Sequence, residues 1–118
     1  MQDEAVMDEQ EVGRKIATIC QVWIERANPD KIILFGSAAR GQTTRGSDLD
    51  FLVVWRGEDF PGNRRRAAYL RQALVGKVRA AIDILVLTPE QFAIASADPW
   101  TFTSTIVNEG RLLYERVA

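Results

Sequence analysis

Two aspartates stand at alternate positions at the start of an apolar segment. Asp48 and Asp50 lead into the run Phe51-Leu52-Val53-Val54, whose aromatic and β-branched residues are typical of a strand. Because alternate strand residues point to the same face, the two carboxylates project together, with Cα atoms about 6.5 to 7 Å apart. Carboxylates so placed suit magnesium, or two magnesium ions that clamp a transferring phosphoryl group.

A glycine and a serine precede this pair, directly after another apolar run at residues 31–35. Gly36 allows a sharp turn and a close backbone approach to phosphate oxygens, and Ser37 can donate its hydroxyl and N–H to a β- or γ-phosphate. The two features together predict a phosphoryl or nucleotidyl transfer enzyme. The alternative is a tight turn followed by an N-capped strand.

The spacing of these residues resembles the signature of the DNA polymerase beta-like nucleotidyltransferases. Ten residues, 38–47, separate Gly36-Ser37 from Asp48-Leu49-Asp50. Two runs resemble the minimal nucleotidyltransferase (MNT) family within that superfamily: Phe35-Gly36-Ser37-Ala38-Ala39-Arg40-Gly41 and Ser47-Asp48-Leu49-Asp50. The resemblance implies a palm-like nucleotidyltransferase fold in which Asp48 and Asp50 hold two magnesium ions and ATP is the substrate.

A third carboxylate, Asp83, interrupts the apolar segment at residues 81–87. Burial of an unpaired charge is costly, so a partner is required. A salt bridge to an arginine such as Arg79, or a water-facing strand edge, would satisfy this requirement. The resemblance implies instead that Asp83 joins Asp48 and Asp50 as a metal ligand and helps to deprotonate the acceptor hydroxyl.

Three further loop residues are candidates for nucleotide binding. Arg40 resembles the arginine of the MNT loop, and Arg45 is close enough in sequence to reach the same charge. Both could stabilise the departing pyrophosphate, although each could equally be a solvated loop arginine. Ser47 belongs to the resembling motif, whereas Ala38 stands where family variants often carry arginine, so one phosphate contact of those variants is absent.

The elements that must position these residues follow from hydrophobic periodicity. Apolar residues recur at helical spacing over residues 8–26, and a second amphipathic helix is marked by Ala67, Leu70, Leu74 and Val78. Strands are predicted at residues 31–35, 48–55, 81–87 and 111–115, and further helices from Pro89 and over residues 100–108. This order predicts an α/β (α+β) fold with a small mixed sheet flanked by helices, whose first two strands form a hairpin around the loop.

Composition narrows the functional classes. The chain has 118 residues with 47% hydrophobic content, which predicts a single domain over residues 1–118. The resemblance implies that this is a nucleotidyltransferase domain. It has no histidine and one cysteine, which removes His-based catalysis and internal disulfides and leaves carboxylates, arginines and metal. Spacing places Cys20 on an apolar helix face. The net charge of −1 argues against long nucleic acid as a partner. An acidic start without an apolar run of about 20 residues predicts a cytoplasmic protein without a membrane span.

Two residue groups keep alternative interpretations. The run Arg64-Arg65-Arg66 heads the second helix, where cations oppose the helix dipole, so it could bind an anionic partner or simply form a solvated face. Four aromatic residues could stack on a base, but core packing is the favoured interpretation for all of them: Trp55, Tyr69, Trp100 and Tyr114.

The resemblance also implies a partner. Members of the MNT family are commonly the antitoxin of a toxin–antitoxin module, in which they silence a HEPN-domain ribonuclease by transferring AMP to a tyrosine. The small size of the chain agrees with an acceptor carried by another protein. Two alternatives remain: a non-catalytic antitoxin that inhibits its partner by occlusion, and nucleotidyl transfer to a small molecule such as an aminoglycoside.

Overall fold

The structure, a computed structural model, describes residues 9–42 and 48–117. The order of its helices and strands is α1 (Glu9–Ala27), β1 (Lys31–Phe35), β2 (Leu49–Val54), α2 (Asn63–Ala73), β3 (Ile82–Leu87), α3 (Pro89–Ala97), α4 (Phe102–Glu109) and β4 (Arg111–Glu115). The predicted fold class is confirmed. Arg45 and Ser47, which are predicted to bind nucleotide, lie outside the described residues.

The four strands form one mixed sheet in the order β3-β2-β1-β4. β1 is antiparallel to β2 and to β4, whereas β2 and β3 are parallel. The predicted hairpin around the loop is therefore present. Because β1 ends where β2 and β3 begin, the residues after β1 and the first residues of β2 and β3 meet at one edge of the sheet.

Pairing register aligns three residues across that edge. Phe35 is opposite Asp50 on the neighbouring strand, and Asp50 is in turn opposite Asp83. Directly paired residues point to the same face of a sheet. The two aspartates and the aromatic ring therefore share one face of the sheet. On the same face, Leu52 and Ile33 pack against Ile106 of α4.

The other face of the sheet carries the main hydrophobic core beneath α1 and α2. Trp23 of α1 is fully buried, packs edge-on against Phe51 at 5.1 Å, and donates its Nε1–H to the Leu70 carbonyl of α2 at 2.9 Å. Cys20 packs against this core, and burial raises the pKa of its thiol to about 11. The cysteine is thus a packing residue, and the core rigidly supports the strands that carry the aspartates.

The second helix is shorter than its apolar spacing predicts. Val78 lies beyond α2, which ends at Ala73 with Leu74 as its C-cap, and Gly76 then adopts a positive φ of 78°. A left-handed residue at this point redirects the chain, so the apolar spacing continues past the end of the helix.

Arg66 does not belong to a solvated run. Its guanidinium donates to the carbonyls of Gly57 and Phe60, both at 2.9 Å, and to Asn63 Oδ1 at 2.8 Å. Arg66 therefore holds the connection between β2 and α2, whereas Arg64 and Arg65 are exposed.

The aromatic residues divide into two groups. Trp55, Phe60 and Tyr69 form one cluster with ring centroids 4.9 to 5.8 Å apart, which confirms packing for Trp55 and Tyr69. Packing was the wrong expectation for Trp100, whose residue surface is 94% exposed. Trp100 lies in the turn between α3 and α4, outside both helices.

Within residues 9–42 and 48–117, no helix combines the length and the apolar character that a bilayer crossing needs.

Candidate functional site

Three carboxylates converge at the edge of the sheet where β2 and β3 begin. Asp48, Asp50 and Asp83 each place one oxygen within 4.8 Å of the others. The cluster forms because Asp50 and Asp83 are paired in parallel register, while Asp48 directly precedes β2. The structure thus brings together the three residues that the sequence nominates as metal ligands.

Mutual repulsion and burial disfavour the ionised form of this cluster. A hydrogen bond shared with Asp83, then the charge of Asp83, raise the pKa of Asp48, and the charge of Arg71 partly opposes them. Burial is the largest cause that raises the pKa of Asp50, followed by the charges of Asp83 and Asp48. A donor set of carboxylate oxygens is the kind that magnesium prefers, and a bound cation would remove the repulsion.

The salt bridge considered for Asp83 is not found. In the described part of the chain, the ion pairs are Lys15–Glu11, Lys31–Glu115, Arg56–Glu90 and Arg116–Asp30. Asp83 is exposed at the open edge of the sheet, which is the other possibility that the sequence leaves. Its charge is therefore available to a ligand.

The turn after β1 lies against the carboxylate of Asp50. Gly36 has a φ of 75°, which L-residues rarely adopt, and a Cβ added to it would lie 3.2 Å from Asp50 Cγ and well inside van der Waals contact of Oδ2. Both the conformation and the close approach require glycine. The backbone can thereby reach the edge of the carboxylate cluster.

Ser37 opens a turn that follows Gly36. Its carbonyl accepts from the N–H groups of Arg40 at 3.1 Å and Gln42 at 2.9 Å. Within residues 9–42 and 48–117, the N–H groups of Ser37 and Ala38 have no backbone acceptor. Successive N–H groups without a backbone acceptor in a turn form a concave site that favours anions, here next to the carboxylates.

Arg40 reaches outward from this turn. Its side chain is exposed and its Nε lies 3.4 Å from Gln42 Oε1, which is a weak contact. Arg40 also lines a small cavity together with Gly36. Its guanidinium therefore lies exposed beside the Gly36-Ser37 turn.

Sequence reasoning missed Arg71. This residue of α2 donates from Nη1 to the carbonyl of Ile82 at 2.6 Å, one residue before Asp83. Three larger causes raise the pKa of Asp48: a hydrogen bond to Asp83, the charge of Asp83 and burial. The charge of Arg71 is close enough to oppose them and lowers this pKa. No local pattern singles out this arginine, because its position depends on how α2 packs beside β3.

Removal of one charge from the cluster should not weaken the metal-free fold. Since folding raises the pKa of Asp48, ionisation of this group opposes folding once the pH exceeds the ordinary carboxyl pKa. In EDTA at neutral pH, we expect Asp48→Asn to melt at the same temperature as the parent or slightly higher. Magnesium should then raise the melting temperature of the parent more than that of the variant.

A thermal-shift series with EDTA and with magnesium measures both effects. Asp59→Asn is the matched control, because Asp59 is exposed in the connection after β2, at the opposite end of that strand. Melting many degrees lower for Asp48→Asn in EDTA would mean that this aspartate supports the fold and that repulsion does not dominate.

Comparison with known proteins agrees with this geometry. A family model described as polymerase beta nucleotidyltransferase matches residues 15–117. The chain is also 38% identical over 90 residues to a candidate protein adenylyltransferase of Methanocaldococcus jannaschii, a match that covers 75% of this chain and 82% of that protein.

Two solved structures share the fold. The crystal structure of a candidate nucleotidyltransferase from Sulfolobus solfataricus has a TM-score of 0.55 at 19% identity, over 93% of this chain and 91% of that one. A chain from the crystal structure of a toxin–antitoxin with AMP-PNP has a TM-score of 0.58 at 18% identity, over 93% of this chain and 75% of that one.

Proposed function

We infer that this chain, which belongs to the polymerase beta nucleotidyltransferase family, transfers AMP from ATP to a hydroxyl group of a partner protein in a magnesium-dependent reaction. Family membership makes it a nucleotidyltransferase. The observation that carries the finer proposal is the convergence of three carboxylate oxygens within 4.8 Å beside the Gly36-Ser37 turn.

We assign magnesium to Asp48, Asp50 and Asp83, whose oxygens are the described donors that fit it. When bound, magnesium supplies charge neutralisation for the triphosphate and for the phosphoryl group in transfer. The N–H groups of Ser37 and Ala38 hold the triphosphate. Arg40, which is exposed beside them, contributes positive charge to the leaving pyrophosphate, and Arg45 and Ser47 remain candidates for the same role.

The order of the strands separates the two substrates. The Gly36-Ser37 turn lies on the β1 side of Asp50, whereas Asp83 lies on the β3 side. Phosphoryl transfer places the attacking and leaving oxygens roughly in line. The acceptor hydroxyl therefore approaches from the β3 side and gives its proton to Asp83. Its oxygen bonds to the α-phosphorus as the bond to pyrophosphate breaks.

Arg71 belongs to the acceptor side of this arrangement. Its hydrogen bond to the Ile82 carbonyl fixes the guanidinium at the start of β3, beside the proposed base. There it can hold the strand that carries Asp83 in position and offset part of the negative charge that the acceptor meets. It is a positioning residue in this proposal.

The acceptor that we propose is a tyrosine of a HEPN-domain toxin, with this chain as its antitoxin. Three facts support the proposal: the resemblance of the loop to the MNT family, the name of the Methanocaldococcus jannaschii relative, and the toxin–antitoxin structure with the same fold. We also propose that the chain acts as a single domain, with the acceptor on the partner. A cytoplasmic location stays a prediction.

The direct test is the mass of the partner. After incubation of this protein and the proposed HEPN-domain partner with ATP and magnesium, we expect the partner to gain one or more AMP units by intact mass spectrometry. Ser37→Ala keeps the backbone N–H but removes the hydroxyl, which we propose as a further donor to the triphosphate. It should slow the gain by about 10²- to 10³-fold, the usual cost of one lost donor to a developing charge.

Two controls accompany the mass measurement. Omission of magnesium should stop the gain. Ser96→Ala should not change it, because the Ser96 hydroxyl donates within α3, to the carbonyls of Phe92 at 2.7 Å and Ala93 at 3.4 Å. An unchanged partner mass over hours, combined with full inhibition of the partner, would instead establish inhibition by occlusion.

A further inference from the structure

An aromatic side chain stands exposed beside the turn that follows β1. Phe102, the first residue of α4, is 62% exposed. Its ring makes a T-shaped contact with that of Phe35, with centroids 5.8 Å apart and planes at 83°. The core does not need this ring, since Ile106 one turn later seals α4 against the sheet at 1% exposure.

A small cavity lies beside this ring. It measures about 180 Å³ and has apolar walls from Phe35, Phe102 and Ile106. Gly36 also lines it, and Arg40, Thr105 and Glu109 add polar groups. Sites for whole drug-sized ligands are about 300 to 1,000 Å³. The cavity is therefore the size for one flat ring system, with one apolar wall still open to solvent.

Two residues of the cavity wall adjoin the carboxylate cluster. Gly36 lines the cavity and lies against Asp50, while Phe35 is the cross-strand neighbour of Asp50 on the same face. Directly opposed residues have Cα atoms about 4.5 to 5.5 Å apart. One nucleotide can therefore place its phosphates at the cluster and its base in the cavity.

We propose that this cavity is the nucleobase subsite and that Phe102 is the surface on which the base stacks. The inference rests on the proposed function, because it assigns the base of the same nucleotide. Aromatic rings stack on any base, since every base has a π-face, and Thr105 and Glu109 offer hydrogen-bonding groups to its edge. The site takes a purine or pyrimidine nucleoside triphosphate and contributes nothing to a ligand without a base.

The test compares two anions that differ by the nucleoside. Binding of ATP and of inorganic tripolyphosphate is measured by calorimetry in magnesium, with the full chain. Phe102→Ala should weaken ATP about 10- to 100-fold, as expected for the loss of base stacking worth ~1–3 kcal/mol, and leave tripolyphosphate unchanged. Phe102→Tyr should restore ATP binding, because the ring is kept.

Trp100→Ala is the matched control. Trp100 is more exposed than Phe102, at 94%, and is not part of the cavity wall. Its removal should change the affinity of neither anion. In the AMP transfer assay, Phe102→Ala should raise the KM for ATP with little effect on kcat, since stacking is equal in the ground and transition states.

Other outcomes would overturn the inference. Equal loss of ATP and tripolyphosphate would mean that Phe102 supports the turn, and no loss of either would mean that the base lies elsewhere. A variant that binds ATP normally but no longer binds its partner would assign Phe102 to a protein contact. If the wild type binds no ATP, the proposed function is wrong, and the nucleobase subsite is wrong as well.

Discussion

Asp50→Asn is expected to abolish AMP transfer, with a loss of more than about 10³-fold in rate, while the protein stays folded. Asp50 is at the centre of the row that runs from Phe35 to Asp83, so it is the carboxylate that contacts both the Gly36 turn and the rest of the cluster. The amide keeps the shape of the side chain but removes the charge on which cation binding depends. The rate of AMP gain on the partner, followed by intact mass, measures the effect.

The same variant separates chemistry from binding. Asp50→Asn should still form a complex with its partner on size exclusion, yet fail to protect cells that express the partner. Asp59→Asn, an exposed aspartate in the connection after β2, should behave as the wild type in every assay. Full protection of cells by Asp50→Asn would disprove the enzymatic account of inhibition and leave the family assignment intact.

Gly36→Ala is expected to damage both the stability of the fold and the transfer reaction. At a φ of 75° an L-residue costs about 1 to 2 kcal/mol, and here the new Cβ would also collide with the Asp50 carboxylate. Either Asp50 or the turn must shift, and a displacement of about 1 Å at a catalytic centre can cost on the order of 10²-fold in rate. We expect both a lower free energy of unfolding in urea and nearly complete loss of transfer.

Gly41→Ala is the matched control for this prediction. Gly41 has a nearly equal φ of 70°, but an added Cβ meets nothing within 4 Å. It therefore pays the conformational cost alone, without the collision. If the two variants lose the same amount of stability and activity, the close approach between Gly36 and Asp50 is not a requirement of the site.

A double-mutant cycle isolates the collision itself. In an Asp50→Ala background the added methyl group of Gly36→Ala no longer meets a carboxylate, because only the Asp50 Cβ remains, at 3.5 Å. The stability cost of Gly36→Ala should then fall to that of Gly41→Ala. A cost that is the same in both backgrounds would place the strain in the turn and not in its contact with Asp50.

Local chemistry explains why so much of the fold could be read from the chain. The alternation of Asp48 and Asp50 at the start of β2, the helical spacing in α1, and the Thr88-Pro89 start of α3 are set by covalent geometry and short-range hydrogen bonds. The four predicted strands are present for the same reason. Glycine at position 36 follows from a turn that needs a positive φ, which is also a local requirement.

The sequence by itself therefore determined the order of the strands along the chain, the pair of aspartates and the kind of chemistry that they can support. Only the tertiary structure decided what surrounds them. The parallel register of β2 and β3 sets Asp83 opposite Asp50, the packing of α2 brings Arg71 to the Ile82 carbonyl, and the turn before α4 leaves Trp100 in solvent. These positions depend on contacts between residues far apart in the chain, and no local periodicity encodes such contacts.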